Sequence, residues 1–255
     1  MSERSLVLIG PGEVGRRLAG ALESGGWRAS VVTRTSGWDR ALDESDPSPR
    51  LVAVREEDLG AVLDRFEGPL RQRLVLVQNG FLEVVHGDLS DVSRGLIWFM
   101  SKKDVFHELW PSLFYGPCAG GIAEGLVESG TRVEVIEDRK RALTEMVLKG
   151  VWNCVVGLPL AIAQVDLATY KTMHSVELRA LVDEAARAAS AEYGVEVGAG
   201  EALERIHATT GPIGWVKGGT KALRWRNGAV SRLGRRHGIE TPVNDRLLAA
   251  AGFEP

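Results

Sequence analysis

Leu6-Val-Leu-Ile9, followed at once by Gly10-Pro11-Gly12-Glu13-Val14-Gly15, is the stretch that decides the fold of this chain. The short apolar run is typical of a buried strand, and residues 16–22 read as a helix. Between strand and helix, the first glycine of a G-x-G-x-x-G pattern permits a tight turn. The second lets a pyrophosphate approach the backbone, and the third lets helix and strand pack closely. The stretch therefore predicts a dinucleotide-binding turn, with a purely structural turn in another doubly wound domain as the alternative.

The end of the second predicted strand indicates which dinucleotide is bound. Proteins that select NAD usually place an Asp or Glu about 20 residues past the glycines, where it binds the ribose 2′-hydroxyl. Here the strand ends Val32-Thr33-Arg34-Thr35-Ser36, without a carboxylate. A guanidinium suits a 2′-phosphate, so Arg34 favours NADP(H). The alternative is that Arg34 is an ordinary exposed loop arginine.

The rest of the chain divides by its periodicity. Short β-branched runs alternate with helix-like segments in the first half, which predicts a parallel sheet covered by helices. The predicted strands cover residues 6–9, 29–33, 51–54, 74–77, 95–99 and 132–136. From about residue 139 the periodicity is helical, with predicted helices over 139–156, 176–193 and 227–237. We therefore predict an α/β chain: an amino-terminal Rossmann domain with a mostly parallel sheet (1–138) and an all-helical carboxy-terminal domain (139–255).

Composition limits the classes of partner. With 255 residues, 44% of them hydrophobic, and a net charge of -3, the chain suits packed domains and does not suit nucleic-acid binding. No stretch approaches the roughly 20 apolar residues of a membrane span, and no signal segment is evident, so we expect a cytoplasmic protein without membrane partners. Cys118 and Cys154 lack the spacing of a metal site, and no metal is expected.

Glu145, Lys149 and Asn153 are spaced four apart and share one face of a predicted helix. A lysine ammonium can hydrogen-bond a ketone oxygen and give it a proton as hydride reaches carbon, while an amide orients the substrate. The alternative is a surface Glu145–Lys149 pair of small energetic value. Because Cys154-Val-Val-Gly157-Leu-Pro159 follows, the polar face continues into apolar surroundings, which favours the catalytic interpretation.

Several motifs together resemble the ketopantoate reductase (2-dehydropantoate 2-reductase) family over nearly the whole chain, as a divergent member. These motifs are the glycine turn, Arg34, Gln78-Asn79-Gly80, Lys149-Gly-Val-Trp-Asn153-Cys154, Asn227-Gly-Ala-Val-Ser-Arg-Leu-Gly-Arg-Arg-His-Gly-Ile239 and Thr241-Pro-Val-Asn244. The resemblance implies an NADP-dependent oxidoreductase.

The resemblance also implies residue roles. Lys149 would be the proton donor and Asn153 a substrate ligand, and Asn79 would lie near both the nicotinamide ribose and the substrate. Arg34 would hold the 2′-phosphate. Arg55 stands where the family usually has a cofactor-facing lysine, so the positive charge is kept.

Two positions depart from the family pattern. Gly157 stands where a second asparagine is usual, and Ala222 where a glutamate is usual in an ungapped alignment. Because that acid binds the substrate's hydroxyl, its loss predicts that ketopantoate is a poor substrate. Substitute contacts could come from His207, Thr209 or Thr210, and a small alignment gap would instead offer Glu201 or Glu204.

Three functions follow as expectations. The first is an NADPH-dependent reductase of a small 2-oxo acid or related carbonyl compound, with chemistry in a cleft between the domains. The second is a reductase of the imine or opine kind. The third is a catalytically silent NADP(H)-binding sensor module. A small-molecule carbonyl compound is the expected partner, and a homodimer is left open.

Overall fold

The computed structural model describes residues 4–102 and 105–254 and divides into two compact units. The first unit comprises Met1–Gln78 and Asp88–Arg139, and the second comprises Asn79–Gly87 and Lys140–Pro255. The chain thus leaves the first unit at Asn79 for nine residues and returns to it. The predicted first domain, residues 1–138, included this whole segment.

Within the described residues, the first unit holds nine strands and five helices. The strands are β1 (Ser5–Ile9), β2 (Arg28–Val32), β3 (Arg50–Val52), β4 (Leu74–Leu76), β5 (Ser93–Leu96), β6 (Phe99–Lys102), β7 (Val105–Glu108), β8 (Ser112–Tyr115) and β9 (Val133–Val135). The helices, numbered along the chain, are α1 (Glu13–Ser24), α2 (Trp38–Ala41), α3 (Glu56–Leu63), α4 (Gly68–Arg71) and α6 (Ala119–Glu128), while α5 (Glu83–His86) belongs to the second unit.

Seven of these described strands form one sheet in the order β2-β1-β3-β4-β5-β8-β9. All neighbouring pairs are parallel except β5 and β8, which are antiparallel. The register pairs Ile9 with both Val32 and Val52. Because these three residues end their strands, the loops after β1, β2 and β3 meet at one edge of the sheet. The mostly parallel sheet predicted from the sequence is confirmed.

Three strands differ from the sequence prediction. Phe99–Lys102 pairs with Val105–Glu108 as a separate antiparallel hairpin, and Ser112–Tyr115 joins the main sheet. The predicted strand over 95–99 is in fact divided between β5 and β6 by Ile97 and Trp98. Four-residue strands have too few alternating positions to give a clear periodicity, so neighbouring short strands merge into one apparent run.

The core of the first unit lies between the sheet and the helices α1 and α6. It includes Leu6, Leu8, Leu18, Leu22, Leu51, Val75, Phe114, Ile122 and Leu126. Helix α1 contributes Leu18 and Leu22, four residues apart, and exposes its charged face. This packing fixes the amino terminus of α1 at the edge of the sheet where β1 ends.

The second unit is helical, as predicted. In addition to α5, its helices are α7 (Arg139–Val155), α8 (Leu158–Ala163), α9 (Leu167–Met173), α10 (Ser175–Tyr193), α11 (Ala199–Thr210), α12 (Asn227–His237) and α13 (Pro242–Ala250). Helix α10 is central, because it packs against α9, α11, α12 and α13. It does so through buried small and aliphatic side chains such as Leu181, Val182, Ala185 and Ala189.

Segment 79–87 joins the second unit for identifiable reasons. The backbone N–H of Phe81 donates to the carbonyl of Trp225 at 2.7 Å, and the Tyr193 hydroxyl donates to Glu83 at 2.6 Å. Helix α5 also contacts α12. These partners lie more than 100 residues away along the chain, so no local sequence pattern predicts them.

One stretch, Arg139–Ala163, is long and apolar enough by composition to cross a membrane, which the sequence analysis did not anticipate. Of its most apolar window, 67% is buried inside the protein. Such burial is also typical of the core helix of a folded unit.

Candidate functional site

The glycine turn of the first unit has the geometry that its sequence predicts. Gly10 has a φ of +90°, and a Cβ on it would lie 2.7 Å from the Val54 side chain. A Cβ on Gly15 would lie 2.5 Å from the Gly10 carbonyl oxygen. Both distances are shorter than any carbon contact tolerates, so the turn between β1 and α1 requires glycine at both positions.

Gly12 differs from these two glycines. A Cβ on Gly12 would meet only the Ala53 carbonyl oxygen, at 3.9 Å, so the space beside it is open. Gly12 is also the N-cap of α1 and provides no side chain to bind the first N–H groups of that helix. An open approach to a helix amino terminus suits a phosphate group. Of the next residues, Val14 is exposed, and Glu13 accepts a hydrogen bond from Ser101 at 3.2 Å.

A cleft of about 530 Å³ begins at this turn. It is lined by the loops after β1, β2 and β3 and by α3, and its lining includes Gly10, Pro11, Gly12, Thr33, Arg34, Trp38, Val54, Arg55, Asp58, Val62 and Arg65. Three arginines against one aspartate make the cleft positively charged. A cleft with these glycines and charges fits a dinucleotide that carries phosphate groups.

Arg34 and Arg55 both lie beside Asp58. Arg34 donates from Nη2 to the two carboxylate oxygens at 2.9 and 3.1 Å, and Arg55 Nε is 3.6 Å from Oδ2. The Arg34 side chain is 74% exposed, so the pair is open to solvent and to a ligand. Sequence reasoning missed Asp58, although its spacing of three from Arg55 at the start of a helix could have indicated the contact.

Trp38 and Arg65 were also missed. The Arg65 guanidinium lies 4.3 Å from the Trp38 ring centre, and both residues line the cleft. A flat aromatic and guanidinium surface of this kind suits stacking of a planar base.

In the second unit, the predicted residues Lys149, Asn153 and Asn79 are brought together. Lys149 and Asn153 are buried on α7, and the Asn153 amide donates to the Asn79 side-chain oxygen at 3.4 Å. Asn79 reaches α7 because Gly150 leaves room for Phe81, whose ring atoms would lie 2.3 Å from a Cβ at that position. Segment 79–87 and one face of α7, both in the second unit, therefore contribute to one polar cluster.

Lys149 is 5% exposed, and its ammonium lies 4.2 Å from the centre of the Trp152 ring. Burial, and next the charge of Arg226, lower the pKa of Lys149 from 10.5 to about 7. A carboxylate partner would act in the opposite direction. Glu145 instead forms a two-bonded pair with Arg205 at 2.6 and 3.0 Å. The alternative of an exposed Glu145–Lys149 surface pair is therefore wrong, because both residues are buried.

Of the suggested substitute substrate ligands, the two threonines make hydrogen bonds within the second unit. The Thr209 hydroxyl accepts from Trp152 Nε1 at 2.9 Å and donates to the Arg205 carbonyl at 2.7 Å. Thr210 accepts from Lys171 at 2.8 Å. Both threonines are completely buried, and His207 is exposed on α11. Thr209 thus fixes Trp152, on whose ring the ammonium of Lys149 rests.

Gly157 and Ala222, the two positions that depart from the family pattern, differ in their surroundings. Ala222 is buried and has a φ of +54° in the turn before α12. Gly157 follows α7, and the nearest charged group is the guanidinium of Arg226, whose Nη1 is 3.8 Å from a Cβ built on the glycine. Arg226 is a fourth residue that sequence reasoning missed, and nothing in its local pattern distinguishes it from Arg224.

Within the described residues, no group of three or more His, Cys, Asp or Glu side chains is arranged to hold a metal ion.

No protein-family model and no curated protein sequence matches the chain. Solved structures do match in fold. D-mandelate dehydrogenase with NADH and anilino(oxo)acetate has a TM-score of 0.74 and 15% identity, covering 97% of both chains. Ketopantoate reductase from Staphylococcus aureus, described as dimeric, has a TM-score of 0.72 and 16% identity, covering 96% of both chains.

A 2-dehydropantoate 2-reductase from Methylococcus capsulatus has a TM-score of 0.73 and 17% identity, covering 97% of this chain and 96% of that one. The chain therefore has the ketopantoate reductase fold along its whole length, as the sequence resemblance predicted. At this identity the fold is what the similarity establishes, and the activity has to be argued from the residues.

Proposed function

We propose that this protein is an NADPH-dependent reductase of a small 2-oxo acid or a related carbonyl compound, with Lys149 as the proton donor. The observation that carries the proposal is the buried Lys149–Asn153 face of α7, joined by Asn79. Burying a lysine costs free energy, and a fold tolerates that cost most often where the cation has a function. The structurally similar reductases support the same reaction class.

The first unit would hold the cofactor. The open side of Gly12 and the amino terminus of α1 would receive the pyrophosphate, and Arg34 and Arg55 would bind the 2′-phosphate. When bound, NADPH supplies the hydride that reduces the carbonyl carbon. The excess of arginines in the cleft favours NADPH over NADH, although one structural neighbour contains NADH.

The second unit would supply the proton. Protonated Lys149 hydrogen-bonds the carbonyl oxygen, stabilises the negative charge that develops there, and transfers a proton from Nζ to give the hydroxyl product. A pKa of about 7 allows Lys149 to give up its proton and regain it from solvent near neutral pH. Asn153 and Asn79 would orient the substrate, and Trp152, held by Thr209, fixes the position of the ammonium.

The test measures NADPH oxidation with a panel of 2-oxo acids, with and without ammonia or amino acids. We expect turnover that does not require an amine. We also expect Lys149→Met to lower kcat by at least ~100-fold while calorimetric NADPH affinity and the melting temperature show an intact fold. Lys140→Met, at an exposed position on the same helix, is the matched control and should retain full turnover.

Three results would contradict the proposal. Turnover only with an amine present would indicate imine reduction, and tight NADPH binding without any turnover would indicate a sensor. Unchanged kcat in Lys149→Met would exclude Lys149 as the proton donor.

A further inference from the structure

Gly157 lies one helical turn beyond Asn153, at the carboxyl end of α7. The atoms nearest to a Cβ built there are the carbonyl oxygens of Asn153 and Gly219, at 3.4 and 3.5 Å, and Nη1 of Arg226 at 3.8 Å. These are ordinary contact distances, so the Arg226 guanidinium is in van der Waals reach of this position. The guanidinium therefore lies beside the end of the helix that carries Lys149 and Asn153.

The backbone of Arg226 is held in place. Its N–H donates to the Leu223 carbonyl and its carbonyl accepts from the Val230 N–H, both at 3.1 Å. The preceding carbonyl, of Trp225, accepts from the Phe81 N–H. The segment that carries Asn79 is therefore attached to the segment that carries Arg226. The Arg226 side chain is half-buried, and its Nη1 lies beside Gly157, one helical turn beyond Asn153.

The charge of Arg226 affects two groups of α7. It contributes to lowering the pKa of Lys149. Burial raises the pKa of the Cys154 thiol to about 12, and the charge of Arg226 opposes this increase. Two cations whose charges act on each other create a positive potential between them. An anion bound there is attracted by both and reduces their mutual repulsion.

A 2-oxo acid matches this arrangement, because its carboxylate is bonded directly to the carbonyl carbon. The planar fork of an arginine binds a carboxylate through two parallel hydrogen bonds, and the adjacent carbonyl oxygen then needs a neighbouring proton donor. We propose that Arg226 binds the substrate carboxylate beside Gly157, so that the site selects 2-oxo acids by their charge. This inference rests on the proposed function, since it takes the Lys149 face as the site of carbonyl reduction.

Ala222 stands where the family pattern has a glutamate that binds a substrate hydroxyl. A methyl group cannot accept a hydrogen bond, so a substrate hydroxyl would lose the partner that the glutamate provides. With the carboxylate bound by Arg226, a hydroxyl is not needed for affinity. Hydroxyl-free 2-oxo acids should therefore be reduced with a higher kcat/KM than ketopantoate.

The test compares oxamate, an unreactive anion shaped like a small 2-oxo acid, with its neutral amide, oxamide. Calorimetric titration is carried out on the full chain with NADPH present. We expect Arg226→Gln to raise the Kd for oxamate by at least about 30-fold and to leave oxamide binding within about threefold. Arg224→Gln, which changes a nearby exposed arginine, is the matched control and should bind oxamate normally.

Turnover gives a second readout. Arg226→Gln should raise KM for a 2-oxo acid and have little effect on kcat/KM for its uncharged methyl ester. Arg226→Lys keeps the positive charge but lacks the planar guanidinium, so it should bind oxamate with an intermediate affinity. This variant provides the test if Arg226→Gln does not fold. Equal losses for oxamate and oxamide, or wild-type protein that binds them equally, would overturn the proposal.

The two proposals fail differently. If oxamate binding depends on Arg226 but no 2-oxo acid is reduced, the proposed reductase function is contradicted and the anion site is supported. If 2-oxo acids are reduced with the same KM in wild type and Arg226→Gln, the reductase is supported and the role of Arg226 is contradicted.

Discussion

At the scale of the residue, Asp58 holds two arginines that could otherwise bind a phosphate. Its carboxylate lies 2.9 Å from Arg34 and 3.6 Å from Arg55. Because these side chains are largely exposed, the pairs themselves contribute little to stability. Their effect lies in binding, since a 2′-phosphate has to compete with Asp58 for the same guanidinium groups.

This competition predicts opposite effects of two substitutions on NADPH affinity. Arg34→Ala should weaken NADPH binding by about 10- to 100-fold, which corresponds to the loss of a charge-assisted hydrogen bond, and should leave NADH nearly unchanged. Asp58→Asn should strengthen NADPH binding severalfold, because it removes a competing negative charge. Calorimetric titration of both cofactors measures the effects.

Asp64→Asn is the control, since this exposed carboxylate ends the same helix and does not line the cleft. Equal affinity of the wild-type protein for NADPH and NADH would contradict the assignment. A loss of NADPH affinity in Asp58→Asn would show that Asp58 positions the arginines and does not compete with the phosphate.

At the scale of the element, the contact between α7 and segment 79–87 assembles the polar face. Gly150 allows this contact, because any side chain there would overlap the Phe81 ring. Phe81 is buried and adjoins the turn that carries Asn79. A shift of this segment would therefore separate Asn79 from Asn153.

Gly150→Ala should lower both stability and kcat. In an open helical position this substitution stabilises by roughly 0.5–1 kcal/mol, whereas overpacking here should cost about 1–3 kcal/mol. Gly200→Ala is the matched control, because Gly200 lies in α11 with no atom within 4 Å of the added Cβ. Thermal unfolding measures the stability of both variants, and steady-state kinetics measures their kcat. Equal gains in stability would contradict a packing role for Gly150.

The sequence predicts those parts of the site that depend on neighbours along the chain. The glycine turn is encoded within ten residues, and the Lys149–Asn153 face follows from a spacing of four. Asn79 could be placed only through the family resemblance, because its segment is held by Trp225 and Tyr193, far along the chain. Arg226 could not be predicted, since the fold brings it beside Gly157 from almost 70 residues further along the chain.

At the scale of the whole molecule, Lys149 makes stability depend on pH. Its pKa is about 7 in the folded protein and 10.5 when exposed. Below pH 7 the ammonium is charged in both states, and its burial destabilises the fold fully. Between these pKa values the folded state binds fewer protons than the unfolded state, so the free energy of unfolding rises with pH by up to ~1.4 kcal/mol per unit.

Lys149→Met should therefore stabilise the protein most at low pH. We expect the difference in free energy of unfolding between variant and wild type to be largest at pH 6 and to decrease from pH 7 to pH 9. Because the raised pKa of Cys154 affects both proteins alike, taking the difference removes its contribution, as it does for other titrating groups outside direct contact with Lys149.

Urea unfolding followed by circular dichroism at several pH values measures the difference, with the exposed Lys140→Met as control. A difference that stays constant from pH 6 to 9 would show that Lys149 does not lose its proton in this range, and the proton-donor role would then require a pKa set by the bound substrate.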